Sequence, residues 1–426
     1  NEHPEGWILG RGWDQNRWSS KAFPRASDLD AAIGDRPAAL TRIDGHALWV
    51  NSAALRLAGI TKETPDPAGG RILRDEGGNP SGVLVDAAVD LVARIIPPPS
   101  SAEREARLLD GLQQMRDFGY TTVADMGVDQ GALAIYRRLE TSGTLPIRVF
   151  AYLAHNPALM KAELAKAKKR GLSFFQVQGV KFYLDGALGS RGARLLAPYS
   201  DALGQQGLWV TQPGAVKTGV ARTLAAGYQP AIHAIGDAAN RAALDLLQGL
   251  PKGAYPPRIE HAQIVTAVDA RRFGPLRVIA SVQPVHCASD HPWTPDRLGP
   301  ARVKEAYPWR TFLQSGALLA FGTDAPNDDL NPFLGLAAAE TRQDGDGQPA
   351  GGFLPEQKLT RTEALRAFAW ANGKALGRPE LGALHPGAAA DLLWVEANLA
   401  DIPPAALRKI RPGRLWVNGT EIKLGR

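Results

Sequence analysis

Lys181, His233, His261 and Asp324 each close a short apolar run: Gly179-Val180-Lys181, Pro230-Ala231-Ile232-His233, Arg258-Ile259-Glu260-His261 and Leu319-Ala320-Phe321-Gly322-Thr323-Asp324. Imidazole and carboxylate groups are zinc ligands, and a catalytic zinc keeps one position open for water. Asp324 would both ligate such an ion and take a proton from the water it activates, then pass that proton to a leaving nitrogen. Lys181 joins the set if its amine reacts with CO2 to form a carbamate, an anionic oxygen donor able to bridge two ions. Unmodified, it would anchor a substrate carboxylate or pair with Asp185. Each residue taken singly also has a structural reading, since strand-end histidines commonly hydrogen-bond or touch substrate and an aspartate before Ala325-Pro326 can cap a turn. The combination favours a divalent metal, zinc first, as one or two ions.

For residues so far apart to share one ion, the fold must bring strand ends together, as the C-terminal mouth of a parallel (β/α)8 barrel does. Apolar runs at 121–124, 148–153, 179–183, 230–233, 258–261, 278–283 and 317–322 alternate with helix-like stretches at 102–118, 157–170, 215–226 and 238–247. Gly119, Gly171, Gly227 and Gly249 stand where these helices should stop. The expectation is an α/β fold, a TIM-like (β/α)8 barrel over residues 101–380 with its first strand missing. Residues 1–100 read as an elaboration between barrel strands one and two, with short strands at 7–12, 38–43 and 46–50, a helix at 51–58, and a Pro/Gly-rich loop or hairpin at 64–82. Helices are expected at 332–342 and 360–376, the second opened by Thr360 with Glu363 in capping-box register. Residues 381–426 carry short β signals at 382–387, 390–395 and 414–419, the C-terminal part of a small, partial β-sandwich domain.

Composition narrows the class. The 426 residues are 44% hydrophobic and 22% charged, enough for a sizeable core. A net charge of +6 arises from 49 basic and 43 acidic residues. The densest basic cluster, Lys166, Lys168, Lys169 and Arg170, has no interleaved aromatics, so it reads as a solvated helix face and not as a nucleic-acid surface. Cys287 is the single cysteine, which excludes an intrachain disulfide and a multi-cysteine zinc site. No apolar run of about 18 residues argues for a membrane span. The opening Asn1-Glu2-His3-Pro4-Glu5 resembles neither a signal peptide nor a natural start, so the chain reads as beginning inside a longer gene product. A soluble protein with a small-molecule substrate follows, cytoplasmic in preference to periplasmic, with homo-oligomerisation left open.

Longer motifs carry a resemblance. The run from Val180 to Arg191 (VKFYLDGALGSR), together with Ile232-His233-Ala234-Ile235-Gly236-Asp237, Ile259-Glu260-His261-Ala262-Gln263, Ser281-Val282-Gln283-Pro284 and Gly322-Thr323-Asp324-Ala325-Pro326, resembles the amidohydrolase superfamily. The resemblance is to its family 3 branch, which contains the N-substituted formamide deformylases. Gly10-Arg11-Gly12-Trp13-Asp14 and the run from Asp44 to Asn51 (DGHALWVN) fit the same branch. The resemblance implies a metal-dependent barrel with a β-sandwich built from both chain ends, His233, His261 and Asp324 on the metal, and Lys181 as a carbamylated bridge. The His-x-His pair that this family places at the end of strand one is absent from the sequence. That absence coincides with the missing strand and the missing half of the sandwich. The expectation is therefore an N-terminal segment not represented here, and weak metal binding with little activity for a chain that starts at Asn1.

His46, His155, Asp185, Arg191 and His286 are candidates for contact with substrate. His286 would polarise a carbonyl or bind an oxyanion, and Arg191 would hold an anionic group through two parallel hydrogen bonds. Each has a structural alternative as an ordinary hydrogen-bonding residue. Trp13, Trp49, Trp293 and Trp309 would wall an apolar substituent or simply fill core. The expected activity is hydrolysis of a linear amide-like C–N bond, N-acyl or N-formyl, by metal-activated water. The alternatives are a deaminase or cyclic-amide hydrolase on the same scaffold, or a metal-poor barrel that binds a ligand without turnover.

Overall fold

The computed structural model describes residues 6–166 and 171–425; residues 1–5 and the Lys168, Lys169 and Arg170 part of the basic cluster lie outside the described residues. A first sheet of five strands comes from the N-terminal quarter: β1 (Ile8–Trp13), β2 (Ala38–Arg42), β3 (Ala47–Val50), β4 (Gly70–Arg74) and β5 (Pro80–Asp86), in the order β1-β2-β3-β5-β4. The Pro/Gly-rich stretch is thus a hairpin, β4 pairing antiparallel with β5. The alternation of strand side chains gives this sheet two apolar faces. Leu48, Val50, Ile72 and Leu84 cluster on one, and Ala47, Val83 and Val85 with Trp13, Phe23 and Trp49 on the other.

A second sheet is wholly parallel. Its strands are β6 (Thr122–Val128), β7 (Arg148–Ala154), β8 (Phe175–Tyr183), β9 (Gln229–Ala234), β10 (Arg258–His261), β11 (Ile279–Val282) and β12 (Leu319–Phe321), paired in sequence order. All seven expected strands are present. Helices Gln130–Thr141, Pro157–Leu164, Pro213–Ala225 and Asp237–Gln248 fill the successive crossovers from β6 to β10. The sheet curls into part of a barrel, and among the described residues no strand pairs β6 with β12. A third sheet, β13 (Leu392–Trp394), β14 (Arg414–Val417) and β15 (Thr420–Ile422), is antiparallel and small. It supplies only part of a sandwich.

Several expectations need correction. The stretch 382–387 forms no strand: Gly382 and Gly387 both take positive φ around Pro386, a turn geometry. The helix expected over 360–376 is broken at Ala369 into Arg361–Phe368 and Trp370–Ala375. The Asn372 side chain stabilises the break, donating to the freed carbonyls of Ala367 and Phe368 and to Phe321 O at the end of β12. Gly119 and Gly227 stop their helices with positive φ, whereas Gly249 does so as a right-handed residue at φ −88°; the helix expected over 157–170 ends at Leu164, capped by Ala165, well before Gly171.

Strand alternation decides which residues face the interior of the curl. Val180, Phe182, Ile232, Ile259 and Val282 turn outward into the large core beneath the helices. Lys181, His233, Arg258, Glu260 and Ser281 fall on the opposite face, with Lys181 in register with Ala231 and Glu260 with both His233 and Ser281. A bulge sets this phase in β8. Ala151 pairs with Val177 but Tyr152 with Gly179, leaving Gln178 as the extra residue. Gly179 is required there, because a Cβ would overlap the Gln229 carbonyl oxygen and approach the Tyr152 ring to 2.9 Å. Gly179→Ala is therefore expected to destabilise the fold by about 1–3 kcal/mol, measured as a lower urea midpoint at an unchanged denaturant slope.

Candidate metal centre

The end of β10 breaks the alternation of its strand. His261 takes φ +73°, and Asp324, after β12, takes φ +59°. Both values lie in the left-handed region, uncommon for residues with side chains. For His261 the consequence is direct: its ring comes to 4.5 Å from that of His233 and lies parallel to that of His286 at 6.0 Å. One ligand atom each from His261, His286 and Asp324 lie within 4.8 Å of one another, the one such group of three histidine, cysteine or acidic side chains among the described residues.

The donor chemistry of this group fits a divalent cation. Gln283 Oε1 accepts from His261 Nδ1 at 3.0 Å, which leaves the Nε2 lone pair free. Burial drives the His261 pKa down to about 3, and Lys181 and His286 add to the effect, so its imidazole is neutral. Burial opposes the charge on Asp324, but its polar neighbours, an N–H from Asn327 among them, outweigh it and hold this carboxyl below its ordinary value. The Asp324 side chain keeps 31% of its surface exposed, so the mouth is open on that side. Neutral imidazole beside ionised carboxylate is the protonation state a hard-to-borderline divalent ion needs.

His233 sits beside this group. Its Nε2 donates toward Gly186 O at 3.4 Å and lies 3.6 Å from Asp185, while burial, with His261, His46 and Lys181 nearby, depresses its pKa strongly. The Lys181 ammonium lies over the Tyr183 ring at 5.1 Å. Burial and Arg258 lower its pKa, and the carboxylates of Glu260 and Asp324 oppose them. Asp185 does not pair with Lys181. Its carboxylate accepts backbone N–H groups from Arg194, Ile235 and Gly236 at 2.8–3.0 Å, and burial pushes its pKa up to about 7.

The other expected substrate contacts divide. His46 reaches the cluster, its ring 5.0 Å from His233, and its Nδ1 is bonded to Asp86 Oδ1 at 2.6 Å. Arg191 already spends its two parallel hydrogen bonds on Asp201, at 3.2 and 2.9 Å. His155 packs against Phe182 at 4.8 Å, on the helix-facing side of β8. Trp293 and Trp309 are buried core, whereas Trp13 and Trp49 form a cluster with the partly exposed Trp18 at 6.1–6.3 Å.

Three residues that matter here carried no assigned role in the sequence. Glu260 binds Arg258 through both oxygens and stands next to His261. Gln283 fixes the His261 tautomer. Asp86 holds His46 and also explains the glycine-rich run after β8, because a Cβ at Gly186 or Gly192 would overlap its carboxylate. Glu260 and Gln283 were visible within the strand-end motifs, while Asp86 lies about a hundred residues from the run it presses on.

The chain is similar to known proteins over nearly its whole length. A model described as the amidohydrolase family matches residues 1–422. The putative amidohydrolase YtcJ of Bacillus subtilis (strain 168) is 31% identical over 420 residues, which cover 97% of this chain and 79% of that protein. The N-substituted formamide deformylase of Arthrobacter pascens is 25% identical over 438 residues, covering 98% of this chain and 79% of its own. The crystal structure of an uncharacterised metal-dependent hydrolase from Pyrococcus horikoshii superposes with a TM-score of 0.74 at 28% identity, over 93% of this chain and 78% of that one.

The His46–Asp86 pair gives a pH-dependent outcome. Burial lowers the His46 pKa, but the Asp86 hydrogen bond and charge outweigh it and raise the value from 6.5 to about 9. A raised histidine pKa stabilises the fold fully below the unfolded value and loses that contribution as pH climbs through the folded value. The stability advantage of the wild type over His46→Gln is expected to be full below about pH 6.5 and to shrink toward pH 10, amounting at most to a few kcal/mol; thermal melts across that window measure it.

Proposed function

Since the chain belongs to the amidohydrolase family, and is a hydrolase of C–N bonds related to metal-dependent enzymes, we propose that it cleaves a linear amide-like bond, N-formyl or N-acyl, at the mouth of the curled parallel sheet. The observation that carries this is the convergence of His261, His286 and Asp324 within 4.8 Å. We take residues 101–380 as the catalytic barrel, residues 1–100 as an elaboration that shapes its mouth, and residues 381–426 as part of a β-sandwich. Likeness to the N-substituted formamide deformylase of Arthrobacter pascens supports the choice of an acyl or formyl group on nitrogen.

His261, Asp324 and His286 would hold a divalent ion, zinc by the preference of imidazole and carboxylate donors, with His233 beside them. Such an ion supplies a Lewis acid that polarises the carbonyl and lowers the pKa of water. Burial and Arg258 favour the neutral amine of Lys181, the form that reacts with CO2, which supports its role as a carbamylated ligand. Asp324 is the general base and acid: it takes the proton released as water adds to the carbonyl carbon and gives it to the departing nitrogen. His46, bonded to Asp86 with its ring 5.0 Å from that of His233, would contact the acyl side of the substrate.

Asp324→Asn keeps the size of the side chain and removes its basicity. It is expected to lower kcat by about 10²–10⁴-fold with a far smaller change in KM, in an assay of carboxylate release from a panel of N-alkyl and N-aryl formamides and N-acyl amines. Ammonia release without carboxylate formation would redirect the chemistry to deamination. Unchanged kcat would remove Asp324 from the mechanism.

A further inference from the structure

Asp324 is tied to the far end of the chain. Asn327 Nδ2 donates to Asp324 Oδ2 at 2.9 Å, and Arg11 of β1 donates to Asn327 Oδ1 at 2.7 Å, a contact between residues 316 positions apart. The Asn327 backbone N–H also closes a turn on Asp324 O at 2.9 Å. Gly45 lies beside the Asn327 side-chain amide oxygen, where a Cβ would stand 3.4 Å from Oδ1. The same Arg11 Nη2 also lies 3.4 Å from Ile43 O, just after β2.

From this geometry we infer that Arg11 and Asn327 are positioning residues that set the orientation of the Asp324 carboxylate, and so couple the N-terminal sheet to the metal centre. The chemistry of the three groups dictates the direction of the relay. A guanidinium has five donors and no acceptor, so the oxygen of the Asn327 amide must face Arg11. The amide nitrogen then faces Asp324, and the flipped amide, oxygen against carboxylate, is excluded. With one donor fixed on Oδ2, the carboxylate loses its freedom to rotate, and Oδ1 carries no hydrogen bond from this relay. Partners of this kind, one contact removed from a ligand, change metal affinity or activity by about 10–100-fold when lost. Arg11 lies within Gly10-Arg11-Gly12-Trp13-Asp14, a motif otherwise without a chemical task in the mouth.

The inference rests on Asp324 as an ion ligand, and its test reads zinc affinity by chelator competition on the whole 426-residue chain, so it does not depend on the substrate. Asn327→Ala is expected to weaken zinc binding about 10–100-fold. Arg11→Ala, at an exposed position, is expected to act in the same direction. The double variant should match Asn327→Ala alone within about twofold, because Arg11 acts through Asn327 and residues in one network are not additive. Arg11→Lys, which keeps a donor, should restore most of the affinity. Asn327→Asp keeps the acceptor for Arg11 but sets a carboxylate against Asp324, and should weaken binding at least as much as the alanine. Arg11→Ala with wild-type affinity, or effects that multiply in the double variant, would overturn the relay while leaving Asp324 as a ligand. Zinc affinity unchanged in Asp324→Asn would overturn the ligand reading and the relay together. Coupled zinc effects without turnover of any amide in the panel would support the relay and overturn only the substrate assignment.

Discussion

The mouth of the sheet is organised around one buried carboxylate. Asp185 is fully enclosed, and an ionised carboxylate in such a place is costly unless it is hydrogen-bonded. Three backbone N–H groups meet it: Arg194 from the loop after β8, and Ile235 and Gly236 from the turn after β9. A single side chain thereby fixes the paths of two successive loops and sets the position of His233, 3.6 Å away. The loop it pins contains the glycines on which Asp86 and Arg42 of the N-terminal sheet press. The placement of His46, and the closeness of the two sheets, follow from that contact.

Beneath the mouth the interior holds charges of both signs. Arg258 binds Glu260 through both oxygens and donates to Ser281 Oγ at 2.8 Å, and Lys181 lies near the carboxylates of Glu260 and Asp324. Buried charges persist when paired and hydrogen-bonded, and removing one partner costs far more than the pair contributes. Here that balance has a functional side. His233 and His261 remain neutral and able to donate lone pairs, and Asp324 remains ionised. The left-handed backbone of His261 and Asp324 adds local strain at the same place, consistent with strained residues being kept where a site requires a particular aim.

The N-terminal sheet contributes more than cover. Arg42, buried at 2% exposure, bonds Gln15 Oε1 at 2.8 Å and pairs with Asp14 and Asp44, while Gln15 donates to Gly189 O at 3.2 Å. Asn16 accepts from Arg297, which also pairs with Asp201, the partner of Arg191. The run from Asp14 to Asn16 is thus stitched to the loop after β8 and to the helix Thr294–Arg302 that follows β11. The partly exposed cluster of Trp13, Trp18 and Trp49 stands on the same side of that sheet as Ala47 and Val85.

By itself the sequence determined the parallel strands, their order and the strand-end residues. The reason is local: a run of apolar residues between a helix-stopping glycine and a polar terminus specifies a strand, and alternation then specifies its two faces. Tertiary structure decided how those ends are aimed. The positive φ of His261 reverses the direction that alternation alone would assign, and no periodicity reports it. Which histidines gather was settled the same way: His286 joins His261 and Asp324, His155 turns to the helix layer, and Arg191 is consumed by Asp201. Asp86 and Arg11 act on residues far along the chain, and such contacts exist only once two sheets have packed. Residue type and spacing fixed what chemistry was available, while the meeting of distant loops fixed which atoms face the same point.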